Sequence, residues 1–139
     1  MTDKFSPAKR KTIMQAIRGK DTKPEKVVRS LVFSLGFRFR LHDSSLPGKP
    51  DLVFKTAKKV IFVHGCYWHR HNCQKGRSLP AINQTFWQQK FEANRKRDQR
   101  VRKDLRKAGW NVLVIWECQT KTTQRNRLLK ILIRYLTHA

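Results

Sequence analysis

The ten residues HGCYWHRHNC, 64 to 73, hold three of the chain's five histidines and two of its three cysteines. Thiolate and imidazole together are the soft donors that select Zn2+. Cys66, His69, His71 and Cys73, with the distant Cys118, are five candidates for a tetrahedral ion that takes four protein ligands. The spacing Cys66-x4-His71-x-Cys73 is not that of a standard zinc finger. One donor is therefore surplus, most simply His69. A partner for it stands on a later helical stripe, where Trp87, Phe91, Asn94, Asp98, Val101, Leu105 and Ala108 step by four and three. Asn94 and Asp98 interrupt that apolar stripe, and an inward carboxylate needs a partner. Asp98 bonded to one ring nitrogen of His69 makes an acid/base pair of defined tautomer. The alternative is a purely structural zinc knot, with Asn94 and Asp98 as a hydrogen-bonded pair that orients the helix.

Two further carboxylates invite chemistry. Asp51 follows Pro50 at the start of a strand and His64 ends the next one, and strand ends are where metal and ligand sites gather. An aspartate there suits Mg2+, which takes few protein ligands and shares the rest with water and phosphate. Asp51 also has a plainer reading as a turn residue of PGKPD. Glu25 is the N3 residue of a capping box, Thr22-Lys23-Pro24-Glu25, and that suffices to explain it, although both roles can hold. Tyr67, Trp68 and Trp87 are either core aromatics or wedges. Large rings in a polar, metal-tethered loop are well placed to enter a duplex where base pairing is weak.

The elements that must position these groups follow from periodicity. Ser6-Pro7 opens a short basic helix with Ile13, Met14 and Ile17 as its sizeable apolar side chains. Val27, Val28, Leu31, Val32 and Leu35 predict an amphipathic helix stopped at Gly36. FRFRLHD alternates as a strand with one buried face, DLVFK follows as a strand, and VIFVHG reads as the centre of a sheet. A second capping box, Thr85-Phe86-Trp87-Gln88, predicts the start of a long helix ending near Ala108-Gly109. NVLVIWEC reads as a fully buried strand, and Leu128, Leu132, Tyr135 and Leu136 mark a closing helix. This order predicts an α/β fold, a central mixed sheet with helices on both faces.

The 139 residues suffice for one domain with a real core. Lys and Arg number 32 against 9 Asp and Glu, a net charge of +23, so the surface attracts a polyanion, with nucleic acid the leading partner. No run approaches the ~18 apolar residues of a membrane span, and the first twenty residues lack the apolar core of a secretory signal. The expectation is a cytoplasmic protein with no membrane partner.

SLPGKPDLVF, VIFVHGCYWHRHNC, FWQQKFEANRKRD and GWNVLVIWEC, with MQAIRGKDTKPE, closely resemble the very-short-patch repair (Vsr) endonucleases over nearly the whole chain. The resemblance implies a three-layer α/β/α, restriction-endonuclease-like core with a structural zinc site. It implies one nuclease domain over 1–139, with residues 1–20 as a basic DNA-binding helix. The implied activity is Mg2+-dependent nicking of one DNA strand 5′ to the thymine of a T:G mismatch, the lesion left by deamination of 5-methylcytosine. Asp51 is implied to bind Mg2+ with the main-chain carbonyl of Val63, and His64 to stand where relatives of this fold usually carry lysine. Glu25 joins the site through water or metal, and His69 with Asp98 looks like the acid/base pair. Cys66, His71, Cys73 and Cys118 correspond to the zinc ligands. Tyr67, Trp68 and Trp87 look like the intercalating platform, with Met14 and Ile17 entering from the other groove and Lys90 and Asn94 near the mismatched bases. Tyr67 departs from the phenylalanine of other members and stacks equally well. The implied protein is a nucleoid-associated monomer of bacterial type with mismatch-repair proteins as further partners. The rival readings are a restriction or homing nuclease of the same core acting on matched DNA, and a zinc-stabilised DNA-binding protein without catalysis.

Overall fold

The structure, a computed structural model, describes residues 21–67 and 69–138. The expected basic first helix, with Met14 and Ile17, and the side chain of Trp68 lie outside the described residues. Thr22 caps helix α1, Lys23–Ser34, by accepting the Glu25 N–H at 3.4 Å. Then come β1 (Arg40–Leu41), β2 (Leu52–Phe54), β3 (Lys59–His64), the short α2 (Gln74–Arg77), α3 (Gln84–Lys107), β4 (Asn111–Trp116), two 3-10 turns and α4 (Arg125–Thr137).

The strands form one mixed sheet in the order β1-β2-β3-β4. β1 and β2 pair antiparallel, as do β2 and β3, whereas β3 and β4 run parallel with His64 opposite Trp116. The parallel pair needs a crossover, and α3 supplies it. Strand alternation divides the core into two faces. Leu52, Phe54, Ile61 and Ile115 meet Val28 and Val32 of α1 and Leu128, Leu132 and Leu136 of α4. On the other face Val53, Val60 and Phe62 meet Leu105 of α3. Leu105 is fully buried, and the Leu105→Ala protein should lose about 2 to 5 kcal/mol in urea unfolding. A loss below about 1 kcal/mol would mean that α3 is not anchored there.

Three expectations need correction. FRFRLHD pairs only at Arg40–Leu41, and Leu41 is 41% exposed. His42, whose φ of 48° leaves the extended region, ends the strand after Leu41. The long helix begins two residues earlier than the box Thr85–Gln88 predicts, after Asn83 as N-cap in the left-handed region (φ 57°) with no side-chain cap. Asparagine tolerates that conformation, and its carbonyl accepts the Trp87 N–H at 3.1 Å. β4 is an edge strand rather than a fully buried one, and Ile115 is its one buried residue.

The C-terminal helix is tied down by polar groups as well. The Tyr135 hydroxyl lies 2.9 and 2.8 Å from the Val60 and Asn111 carbonyl oxygens, and the buried Lys59 ammonium donates to the Tyr135 carbonyl at 2.7 Å. Among the described residues no helix is long and apolar enough to cross a membrane.

Candidate active site

The loop before β2 delivers Asp51 to an open groove of about 1920 Å3. Gly48 makes this possible. Its φ is +72°, and a Cβ there would stand 2.3 Å from Val101 on α3, so only glycine lets the loop press against the helix. Asp51 is 8% exposed, and its Oδ2 accepts the Val63 N–H at 2.7 Å. Burial pushes its pKa up; the Val63 N–H opposes this, and the neighbouring Glu25 carboxyl adds to it.

Glu25 is 1% exposed, held at the start of α1 and beside Asp51. Its Oε2 accepts from the Asp21 N–H at 2.6 Å and from Arg29 at 2.8 Å, while its Oε1 faces His42 Nε2. The capping geometry thus differs from the reciprocal box, because the glutamate reaches Asp21 rather than the Thr22 N–H. Arg29 also bonds Asp21 at 2.7 Å, so one guanidinium serves two carboxylates.

The histidine side of the groove is a second group. His69 Nδ1 lies 2.6 Å from Asp98 Oδ2. Burial works to raise the Asp98 pKa, but the His69 hydrogen bond and the charges around it outweigh that, and the group lies below its usual range. His64, at the end of β3, stacks on His69 with ring centres 3.9 Å apart and planes 4° from parallel. Burial, with His69 alongside, lowers the His64 pKa to about 3, so its ring is neutral, and its buried Nδ1 has no hydrogen-bond partner among the described residues. One ligand atom each from His64, His69 and Asp98 fall within 4.8 Å of one another. Asp51 instead faces Glu25 and His42, and Val63 joins the two groups in the chain, its N–H on Asp51 and His64 next to it.

Cys66, His71, Cys73 and Cys118 form a third group, again with ligand atoms within 4.8 Å of one another. His71 Nδ1 is 3.7 Å from Cys66 Sγ and 3.5 Å from Cys118 Sγ. A tetrahedral Zn2+ with ordinary bond lengths spaces such S and N ligands by about 3.6 Å. The donor set therefore fits zinc. Burial pushes the Cys66 thiol up to about 12, and a cation at the centre is what would let it ionise. The Gly76 N–H holds Cys73 below its ordinary pKa, and burial lowers the His71 pKa, toward the neutral form a ligand needs. Glycine at 76 is again obligatory, since a Cβ there would stand 1.9 Å from the His71 carbonyl oxygen. Glu117 stitches the cluster to the turn after β4, accepting from the Cys66 N–H at 3.3 Å and from Lys75 at 2.9 Å.

Tyr67 and Trp87 converge on Phe91, which is buried on α3. Tyr67 meets it edge-on at 5.3 Å, Trp87 at 5.9 Å, and Arg70 lies 4.4 Å over its ring. Lys90 sits 5.4 Å over Trp87. Lys90, Asn94 and Asp98 line the groove from one side of α3, and Asn94 accepts from Arg97 at 2.8 Å. Lysines and arginines far apart in sequence, among them Lys26, Lys49, Arg102, Lys121 and Arg125, line the same groove. That places a basic wall around the carboxylates, as a polyanion substrate requires.

Sequence reasoning missed His42, Arg29 and Phe91. Phe91 stood on the α3 stripe but not as the seat of the rings. Arg29 is at i,i+4 from Glu25, a signal that was available. His42 depends on pairing across the sheet, which no local pattern carries.

A family model described as DNA mismatch endonuclease Vsr matches residues 2–75. The chain is 52% identical over 119 residues to the type II nicking enzyme V.XorIIP of Xanthomonas oryzae pv. oryzae, spanning 86% of this chain and 87% of that protein. It is 45% identical over 121 residues to the type II nicking enzyme V.NmeAIP of Neisseria meningitidis serogroup A, spanning 87% and 86%. It is 41% identical over 125 residues to the DNA mismatch endonuclease Vsr of Escherichia coli strain K12, spanning 90% and 80%. With a basic groove already walled around buried carboxylates and a histidine-aspartate pair, these matches assign the substrate and the reaction class: the chain belongs to the Vsr family and is a DNA endonuclease.

Proposed function

We propose that this protein is a Mg2+-dependent, strand-specific nickase that cuts 5′ to the thymine of a T:G mismatch in duplex DNA. The observation that carries the reading is the meeting of two groups in one basic groove: the buried Asp51, with Glu25 beside it, and His69 held by Asp98. The sheet order with α1 and α4 on one face and α3 on the other supports a restriction-endonuclease-like core. Residues 1–139 are read as one nuclease domain, with 1–20 as a DNA-binding helix carrying Met14 and Ile17.

Two buried carboxylates fit a hard dication, and burial alone makes their joint ionisation costly without one. Asp51 and the Val63 main-chain carbonyl would hold it, with Glu25 reaching it through water. Bound there, Mg2+ supplies charge stabilisation to the phosphate oxygens. The protein's own part is proton transfer and positioning. A neutral His69 that donates from Nδ1 to Asp98 carries its lone pair on Nε2, so it can take a proton from attacking water. His64, neutral and stacked flat on His69, keeps that ring in its plane. The zinc loop, with Cys66, His71, Cys73 and Cys118 as ligands, sets where Tyr67 and Trp68 stand relative to the scissile phosphate.

The Cys118→Ser protein should lose its zinc in a metal assay and unfold at lower temperature, and full zinc retention would remove Cys118 from the ligand set. Trp87 and Tyr67 serve as a platform on Phe91 for the distorted base step, with Lys90 and Asn94 beside the mismatched bases. Trp87→Ala is expected to reduce the ratio of T:G to matched-duplex binding on the order of tenfold; an unchanged ratio would return Trp87 to the core. The reading as a whole is tested by nicking of T:G and C:G versions of one oligonucleotide duplex in Mg2+. Preferential nicking of T:G supports it. Equal cutting of both favours a nuclease for matched DNA, and no cutting of either would contradict the reading.

A further inference from the structure

His42 has no part in the reaction proposed above, yet it is turned into the middle of its carboxylates. It follows the last residue of β1 and continues the antiparallel ladder opposite Asp51, whose carbonyl accepts its N–H at 3.3 Å. Its φ of 48° is in the left-handed region, an uncommon conformation for a residue with a side chain, and it breaks the pleat that leaves Leu41 exposed. The side chain is only 10% exposed. A strained position at a site is a reason to ask what the side chain does there.

Nε2 has three neighbours. It contacts Glu25 Oε1, lies 3.4 Å from Arg29 Nη2, and lies 3.8 Å from Asp51 Oδ1. The atom cannot accept from Arg29 and donate to Glu25 at once, and an ionised carboxylate accepts only. Nε2 therefore carries the proton and donates to Glu25, and the Arg29 contact is a neighbour rather than a bond. Glu25 Oε2 is already held by the Asp21 N–H and Arg29. His42 holds the other oxygen, beside the Asp51 carboxyl with which Glu25 also interacts.

We infer that His42 is a positioning residue: its Nε2–H fixes Glu25 Oε1 beside Asp51 and so sets the affinity of this carboxylate pair for a divalent cation. It touches neither substrate nor the reacting atoms. This rests on the reading of Asp51 as the cation site. An oriented donor holds both carboxylates where a cation can meet them together, so the ordering is done before the cation arrives. What is required is an N–H at the end of a side chain of this reach. The Gln amide can provide one, whereas Leu cannot.

The test compares the zinc-loaded full chain with its His42→Leu, His42→Gln and Asp51→Asn variants. Mn2+ binding is followed by the electron paramagnetic resonance of the free ion, and nicking is followed over a Mg2+ titration. His42→Leu should weaken Mn2+ binding and raise half-saturating Mg2+ on the order of tenfold or more, the worth of a hydrogen bond to a charged group. Nicking at saturating Mg2+ should stay within about threefold, and His42→Gln should bind Mn2+ within about threefold of the parent. Parent-like Mn2+ binding by the Leu variant overturns the inference, as does equal weakening in Leu and Gln. If circular dichroism shows that His42→Leu does not fold, His42→Ala replaces it in the same comparison. Undiminished Mn2+ binding by Asp51→Asn overturns the cation-site reading itself, whatever the His42 variants do.

Discussion

Asp51→Asn should lower nicking on the order of a thousandfold or more while leaving mismatch binding within a few-fold of the parent. The substitution keeps the shape of the side chain and an oxygen that can still accept the Val63 N–H, now 2.7 Å from Oδ2. What it removes is the charge. Burial and Glu25 already press that carboxyl toward its neutral form, so its loss relieves repulsion and the fold should melt no lower than the parent. Activity lost with stability kept separates a reacting-centre role from a structural one. Parent-like nicking by this variant would remove Asp51 from the chemistry.

His69→Ala is the second large effect. Losing a positioned base costs about a hundredfold to ten-thousandfold in the chemical step, and the loss should appear in single-turnover nicking rather than in DNA affinity. The same protein should keep its full zinc content, because Cys66, His71, Cys73 and Cys118 fit one tetrahedron without it. Asp98→Asn should share the phenotype, since an amide nitrogen turned toward Nδ1 favours the opposite tautomer. Zinc release from His69→Ala would reassign the surplus histidine and undo the division between the metal loop and the acid/base pair.

Much of this arrangement is legible along the chain, and the limits have physical causes. The α3 stripe carries Asp98 inward at helical spacing, and counting thiols and imidazoles against a four-coordinate ion leaves His69 over. Both are local or arithmetical signals, and His69 and Asp98 meet at 2.6 Å. Long apolar strands are equally plain, although VIFVHG lies at the centre and NVLVIWEC at an edge, because strand order is a non-local property. Two left-handed residues, His42 and Asn83, account for the strand and helix boundaries that differ. Neither conformation has a signature in its neighbours. The gathering of Glu25, His42 and Asp51 depends on which strand pairs with which, so its chemistry emerges only when the sheet is assembled. Glu25 shows how a satisfactory local explanation can conceal a second contact: it accepts the Asp21 N–H at the start of α1 and, 1% exposed, it also lies beside Asp51.

The zinc and carboxylate groups are built on different supports. Asp51 and His64 stand at strand ends in the sheet, whereas Cys66, His71 and Cys73 sit in a loop that the proposed zinc ion would hold together. Chelation should therefore disturb the aromatic platform before it disturbs the core.

The central claim is that one groove nicks one strand beside one mispair. Its most direct measurement is nick mapping under single turnover, with each strand of a T:G duplex and of its C:G counterpart labelled separately, in Mg2+ and in a chelator that spares zinc. The expected result is a single cut in the thymine strand, on the 5′ side of that thymine, dependent on Mg2+ and far slower on C:G. Cuts in both strands, or equal rates on the matched duplex, would contradict it.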